Sequence, residues 1–506
     1  VTAERVVIIG NGMAAARLVE EIGRRDPEGR RTALTVLGAE HVPAYNRVLL
    51  PALCAGTLRE DDLALGPAGG PPPGADVRLG TEAVLIDRGR RVVTTHDGDQ
   101  VAYDQAVLAT GATAVRPGVT GLDGPGVTVL RTLGDARRLG VLARAARRRG
   151  LPIAVLGGGV LGLETARALA AGGLIVTVVH PAAHLMNRQL DTGAGRILAD
   201  ALRRTGVRLR LGSAVVRWDG AGPPHERRLH LADGTVHPCA GLVLATGSRP
   251  RTRLARECGL AADEYGVRVD DTLTTSDPAI RALGDCAHHP GAPGGLVQPA
   301  WDQAAVLAGL LTATDPGTRY RGTAAVTRLK ATGIDLTCLG EARREPGDAD
   351  DTAHEVIRLE DPARERYAKL VLRGDTVTGA IMLGVPDAAA GLVQLYTRGA
   401  PAPADRLALL LGRALPPEAA GGGPAALPDY AVVCRCNTVT KSALRGAWHA
   451  GAKSPAELIR ATRATTGCGG CRADVEKTAA WLAETDPAPG VAVPDLDHER
   501  EGAVQP

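Results

Sequence analysis

The stretch Arg5-Val6-Val7-Ile8-Ile9-Gly10-Asn11-Gly12-Met13-Ala14-Ala15 decides the fold. An apolar β-branched run leads into a Gly-x-Gly-x-x-Ala turn and then an alanine-rich amphipathic stretch: strand, turn, helix. Ile153-Ala154-Val155-Leu156-Gly157-Gly158-Gly159-Val160-Leu161-Gly162 is the same device a second time. Gly10 and Gly157 permit the tight turn, Gly12 and Gly159 let a pyrophosphate approach bare backbone, and Ala15 and Gly162 let the helix pack close to the strand. Ala14 lies in the first helical turn, whose free N–H groups carry partial positive charge suited to phosphate. One such turn is weak as a signal, but two in one chain, each between strand and helix, form a repeat. A second repeat supports it: Val107-Leu108-Ala109-Thr110-Gly111 returns as Val243-Leu244-Ala245-Thr246-Gly247, and a later strand ends Leu283-Gly284-Asp285. Nucleotides lie outside the carboxyl ends of parallel strands, so these loops are expected to line one crevice. The expected class is α/β, with two Rossmann-like dinucleotide-binding domains.

Composition bounds the rest. A length of 506 residues suits about three domains. The formal charge of +3 gives no overall basic field for nucleic acid, and Trp 4, Tyr 7 and Phe 0 leave no clustered aromatics for base stacking. The core must therefore be aliphatic. The strand at Val6–Ile9 leaves no room for a signal peptide, and the chain lacks an apolar run of about 18 residues, so no membrane span is expected. Nine cysteines, scattered except for one cluster, argue against a disulfide framework and make the cytoplasm the default compartment.

Residues 1 to about 315 resemble the two-dinucleotide flavoprotein reductases. The resemblance implies an FAD-binding domain built from 1–118 and 242–314, with an NAD(P)H-binding domain, 119–241, inserted between them. It also implies that the first glycine turn holds FAD and that Gly284-Asp285 reaches the flavin ribityl and phosphate. The segment Val297-Gln298-Pro299-Ala300-Trp301-Asp302-Gln303-Ala304 looks like the helix start beside the flavin ring. Trp301 is either a flavin neighbour or a plain core residue. Glu40, two residues beyond the strand Ala33–Gly38, is a candidate for the FAD ribose or else a solvated glutamate. Arg47, in Ala44-Tyr45-Asn46-Arg47-Val48-Leu49-Leu50, would pair with the pyrophosphate through its bidentate fork. Glu164 would face the nicotinamide. The second turn's following strand ends at His180-Pro181 with neither the carboxylate of an NADH site nor the arginine of an NADPH site, so the two nucleotides stay undecided. His180 itself reads as a surface residue.

Cys54 stands alone in the apolar Leu53-Cys54-Ala55, so a dithiol mechanism is unsupported; it reads as a small buried thiol. Tyr45-Asn46-Arg47-Val48-Leu49-Leu50, Leu185-Met186-Asn187-Arg188-Gln189-Leu190-Asp191 and Leu329-Lys330-Ala331-Thr332-Gly333-Ile334-Asp335 resemble one branch in particular. That branch is the flavin-binding part of assimilatory nitrite reductase large subunits and the related electron-transfer subunits of assimilatory nitrate reductases.

Residues 315–412 read as a small α+β domain with a hairpin, Tyr367–Leu372 and Val377–Met382 about Gly374-Asp375. Residues 413–430, with Gly421-Gly422-Gly423, read as a flexible linker. Then come Cys434-Arg435-Cys436 and Cys468-Gly469-Gly470-Cys471, two tight pairs at metal spacing. Helices over 439–450 and 454–463 fit between them. Cys-x-Cys fits zinc poorly, which leaves a [2Fe–2S] cluster as the first reading and structural zinc as the second. The pattern resembles the bacterioferritin-associated-ferredoxin-like domain over 431–484, with Cys434, Cys436, Cys468 and Cys471 as ligands; 485–506 reads as a disordered tail. The domain carries eight Lys and Arg against four Asp and Glu, a surplus that offsets cluster charge or steers an acidic partner.

The resemblance implies an oxidoreductase with FAD, NAD(P)H and a [2Fe–2S] cluster. It would supply electrons to a separate terminal reductase: a molybdopterin nitrate reductase or a sirohaem nitrite reductase. Only 35 residues follow Cys471, none of them cysteine, so reduction of nitrite by this chain alone is not expected. The alternatives are a reductase serving another partner, such as an oxygenase or dehydrogenase, and a non-catalytic iron–sulfur module.

Overall fold

The computed structural model describes residues 3–65, 71–331, 333–345, 354–412, 423–425, 427–434, 439–465 and 471–486, with the backbone alone at Lys330. Each glycine-turn strand sits at the centre of an all-parallel five-stranded sheet. In the first, Glu4–Ile9 lies between Thr32–Gly38 and Gln105–Leu108, with Asp76–Leu79 and Ile280–Ala282 at the edges. In the second, Ile153–Leu156 lies between Val176–His180 and Gly241–Leu244, flanked by Arg208–Leu211 and Val127–Val129. Centre strands buried on both faces need uninterrupted apolar runs, which is what the quoted stretches supply. Each sheet is interrupted by a three-stranded antiparallel meander, Ala83–Ala102 before Gln105–Leu108 and Val215–Pro238 before Gly241–Leu244.

One expected boundary moves. The sequence puts the return to the first domain at residue 242, yet Gly241–Leu244 is a buried strand of the second sheet. The chain crosses back at Ser248–Pro250, which pairs antiparallel with the outgoing crossing at Ala112–Ala114. The two Thr-Gly repeats open these two crossings.

A third five-stranded sheet, antiparallel, follows in the order Val326–Ala331, Ile334–Gly340, Thr376–Leu383, Arg366–Arg373, His354–Asp361. Its expected hairpin is the pair Arg366–Arg373 and Thr376–Leu383. The helix Pro386–Arg398 covers it through Ala388, Ala389, Leu392 and Val393. One core runs from the second parallel sheet into this one, joining Leu185, Met186, Ile197 and Leu198 to Leu336, Tyr367 and Ile381. At that seam Lys369 is fully buried. Its Nζ donates to Asp191 Oδ2 at 2.8 Å and to Glu345 Oε1 at 3.0 Å, and the Tyr367 hydroxyl donates to the same Asp191 oxygen at 2.6 Å. Asp191 also caps the helix Thr192–Arg204 by accepting from Ala194 N–H.

The second compact unit begins beyond residue 421. It holds the strand pair Val432–Cys434 and Val439–Thr440 and the helices Lys441–His449, Pro455–Thr462 and Arg472–Thr485 around Leu444, Trp448, Leu458, Val475 and Leu482. The first two helices answer the expected pair; the third had no counterpart in the sequence reading. Of the disordered tail expected over 485–506, Thr485 instead closes the helix Arg472–Thr485 and Asp486 caps it by donating its N–H to the Leu482 carbonyl; the rest of that tail, and most of the expected linker, lie outside the described residues. Among the described residues, no helix is long and apolar enough to cross a membrane.

Candidate functional site

Both glycine turns have the backbone their residues were expected to provide. Gly10 has φ +115°, and a Cβ there would sit 2.3 Å from the Ala109 carbonyl oxygen; Gly157 repeats this with φ +117° and 2.2 Å to Ala245. A Cβ on Gly162 would meet the Gly157 carbonyl at 2.0 Å, so the second helix packs onto its own turn. Gly159 faces open space. The helices Met13–Arg25 and Val160–Ala171 begin on Gly12 and Gly159 with no side-chain cap and no acid in their first turns. By contrast, Leu133–Arg148 is capped by Thr132 with Asp135, and Thr192–Arg204 by Asp191. The amides of the two glycine-turn helices, including those around Ala14 and Ala15, are thus left to an external anion.

A cation faces the first turn. A Cβ on Gly12 would enter the space in front of Arg47, 3.9 Å from its Nε. Arg47 Nη1 donates to the Arg131 carbonyl at 3.1 Å and Nη2 to Glu40 Oε1 at 2.5 Å, and the guanidinium lies over the Tyr45 ring. The Tyr45 hydroxyl donates to the other Glu40 oxygen at 2.8 Å and accepts from Leu133 N–H. Burial pushes that phenol up to about 12, so it stays a donor. Glu40 therefore holds Arg47 against the turn through one oxygen and Tyr45 through the other, an orienting role the ribose reading did not foresee.

The third expected strand end joins this side. Gly284 has φ +73° and packs against Ala14, where a Cβ would come within 2.9 Å; its N–H donates to Gln303 Oε1 at 2.7 Å. Asp285 accepts from Arg131 Nη2 at 2.5 Å. Trp301, in the helix Val297–Leu311, is buried, and its indole N–H has no hydrogen-bond partner among the described residues. The uncapped turn, the cradle a Cβ on Gly12 would fill, the facing guanidinium and this orphaned donor fit a dinucleotide bearing a flavin.

Thr110 and Thr246 turn out differently. Their hydroxyls donate to the Arg251 and Val115 carbonyls, each on the opposite crossing, at 2.9 and 2.7 Å. Their side chains pin the ribbon together, a role the ligand reading did not include. Gly111 (φ +69°) and Gly247 (φ +107°) supply its sharp turns, and both face open space. On the second turn, Glu164 is buried on the helix. His180 is no free surface residue: its ring lies against Gly158, whose N–H donates to Nδ1 at 3.2 Å. Sequence reasoning missed Arg131 and Gln303, which are recognisable only once strands far apart in sequence meet.

Cys54 Sγ donates weakly to the Ala136 carbonyl, and burial pushes its thiol up to about 12, which leaves no thiolate for disulfide chemistry. In the second unit, Cys434 ends its strand and Cys471 precedes Arg472–Thr485; both are buried in one apolar core. Cys436 and Cys468 lie outside the described residues. Two buried thiols at the mouths of short segments, each with a second cysteine, suit a thiolate-ligated cluster by donor chemistry.

Fold and site together define a two-dinucleotide reductase with an appended small cysteine domain. Residues 4–305 match the pyridine nucleotide-disulphide oxidoreductase family, and the chain belongs to it. Residues 326–394 match the rubredoxin NAD+ reductase C-terminal domain, and 432–480 match the BFD-like [2Fe–2S] binding domain. FAD, NAD(P)H and a [2Fe–2S] cluster are the cofactors these families imply. The chain is 30% identical over 485 residues, 96% of its length and 60% of the relative's, to an assimilatory nitrate reductase electron transfer subunit of Bacillus subtilis (strain 168). It is 32% identical to an NAD(P)H nitrite reductase of the same organism, over 94% of this chain and 57% of that one. It thus spans less than two thirds of these curated relatives. Among solved structures, the putidaredoxin reductase–putidaredoxin complex is 25% identical with TM-score 0.66, covering 78% of this chain and 93% of that one.

Proposed function

We propose that this chain is the NAD(P)H-oxidising electron-transfer component of an assimilatory nitrate or nitrite reductase system, acting in the cytoplasm and passing electrons to a separate terminal reductase. The observation that carries the reading is the join of two uncapped glycine-turn helices to a cysteine-pair domain in one chain, 96% and 94% of which aligns with parts of relatives bearing those names. When bound, FAD supplies the conversion of a two-electron hydride donor into single electrons that a [2Fe–2S] cluster can carry.

The chain's own residues do the holding. The first-turn amides and Arg47, steadied by Glu40 and Tyr45, neutralise the FAD pyrophosphate. The bare backbone of Gly159 takes the nicotinamide dinucleotide. Glu164 stands on the helix at the nicotinamide side. Arg131 fixes Asp285 where the third strand end meets the flavin side. Cys434, Cys436, Cys468 and Cys471 hold the cluster. Of the two candidate acceptors, a molybdopterin nitrate reductase is favoured by the electron-transfer relative and a sirohaem nitrite reductase by the other. A visible spectrum tests the reading. Flavin and iron–sulfur bands that both bleach on adding NADH or NADPH support it; bands unmoved by either nucleotide overturn it.

A further inference from the structure

The second glycine turn carries a feature that bears on which nucleotide it takes. The strand Val176–His180 ends on His180, where a site for NADH presents a carboxylate to the ribose hydroxyls. His180 is fixed in place: Nδ1 accepts from Gly158 N–H at 3.2 Å, so Nε2 carries the proton and faces Asn187 Oδ1 at 3.2 Å. The ring fills the floor beside Gly158, where a Cβ would come within 2.8 Å of it. The following loop folds back through Met186 N–H, which donates to the Gly158 carbonyl at 2.9 Å, so Asn187 and Arg188 are brought to this end of the turn.

The charges of that loop are one-sided. Residues 180–190 contain no Asp or Glu. The next acid, Asp191, is buried, caps its helix and holds Lys369. Arg188 is exposed, and no carboxylate pairs with it among the described residues. Arg343, from the antiparallel domain, reaches the same loop, its Nη1 donating to the Asn187 carbonyl at 3.4 Å. Among the described residues no carboxylate pairs with Arg188 or Arg343, so this loop offers a ribose diol no charged acceptor, while a 2′-phosphate is drawn to two exposed guanidinium groups.

We propose that this subsite selects a 2′-phosphorylated dinucleotide, NADPH, with His180 keeping it free of negative charge and Arg188 and Arg343 receiving the phosphate. The inference rests on the reading of the second turn as the nicotinamide nucleotide site and deepens it. The test is calorimetric binding of ADP-ribose and 2′-phospho-ADP-ribose, neither of which undergoes redox chemistry, to the full-length holoprotein. The phosphorylated probe should bind at least about tenfold more tightly, the worth of about one charge-assisted hydrogen bond. Arg188→Gln and Arg343→Gln, both at exposed positions, should each narrow that ratio and leave ADP-ribose affinity unchanged. His180→Glu should reverse it. Equal or tighter binding of ADP-ribose, or a ratio unmoved by all three substitutions, overturns the inference and leaves the electron-transfer reading standing. Binding of neither probe overturns both.

Discussion

Gly12 and Gly10 sit two residues apart and do different jobs, which makes them separable by substitution. Gly12 has φ −95°, ψ −166°, a conformation any residue adopts, and a Cβ on it would clash with nothing. Gly12→Val should therefore fold normally and lose flavin, because the added methyls occupy the pyrophosphate cradle; flavin released per mole of protein, beside an unchanged melting curve, checks this. Gly10→Ala, at φ +115° and 2.3 Å from a carbonyl, should instead fail to accumulate as folded protein. Cys54→Ser is expected to leave NAD(P)H turnover with an artificial dye within about twofold, because a buried thiol with its titration pushed up to about 12 contributes no thiolate near neutral pH. A large loss in steady-state rate would restore a redox role for that sulfur. At this scale the glycine turns were legible from spacing, since their backbone is local, whereas Arg47 was singled out only through the resemblance of its segment. The fate of Glu40 was not legible: its two oxygens are claimed by Arg47 and Tyr45, and a side chain's choice among neighbours is not written in its distance from a strand end.

Between elements, the decisive contacts join segments remote in sequence. The Thr-Gly repeats were recognisable as repeats, yet their pairing into one ribbon, with Thr110 and Thr246 each donating to the opposite crossing, appears only when the two chain crossings lie side by side. The buried Lys369 is a stronger case, since nothing in the strand Arg366–Arg373 marks it as paired to a helix cap 178 residues earlier. Removing one partner of a buried pair leaves a charge stranded, so Lys369→Met should destabilise the chain by about 3–5 kcal/mol, read as a lowered urea midpoint. The pH dependence follows from the partner. Burial alone would raise the Asp191 carboxyl, but hydrogen bonds from Lys369, Tyr367 and Ala194 overcome it and hold the group below its ordinary value. A carboxyl depressed on folding gives stability that is complete above its unfolded value, about 3.9, and is lost as pH falls through the lower folded one. The wild-type midpoint should thus drop on acidification below about pH 4. Asp191→Asn should be less stable than wild type at pH 7 and show a shallower acid loss.

For the whole molecule, the sequence separated two kinds of chemistry: the glycine turns lie in the first compact unit, and Cys434 and Cys471 lie in the core of the second. The helices Lys441–His449 and Pro455–Thr462 were readable as the pair that fits between the cysteines, and the structure caps them with Thr440 and Ser454, which accept from the Ala443 and Glu457 N–H groups. The helix Arg472–Thr485 was not readable, because its buried face is Val475, Thr478, Ala479 and Leu482, with only two strongly apolar residues seven apart to mark the period. That helix starts directly after Cys471, so the ligand set depends on it for position. Division of labour between the units makes a sharp prediction. Cys471→Ser in the full-length protein should abolish the iron–sulfur absorbance and its reduced-state electron paramagnetic resonance signal, and leave flavin content unchanged. The rate at which NAD(P)H bleaches the flavin should also be unchanged, because every residue assigned to that event lies in the first unit. Transfer to a dye that accepts directly from flavin should persist, while transfer to the proposed terminal reductase should vanish. Loss of flavin bleaching together with the cluster would mean that the first unit needs the second for its own chemistry, and the order of electron flow argued from the sequence would have to be redrawn.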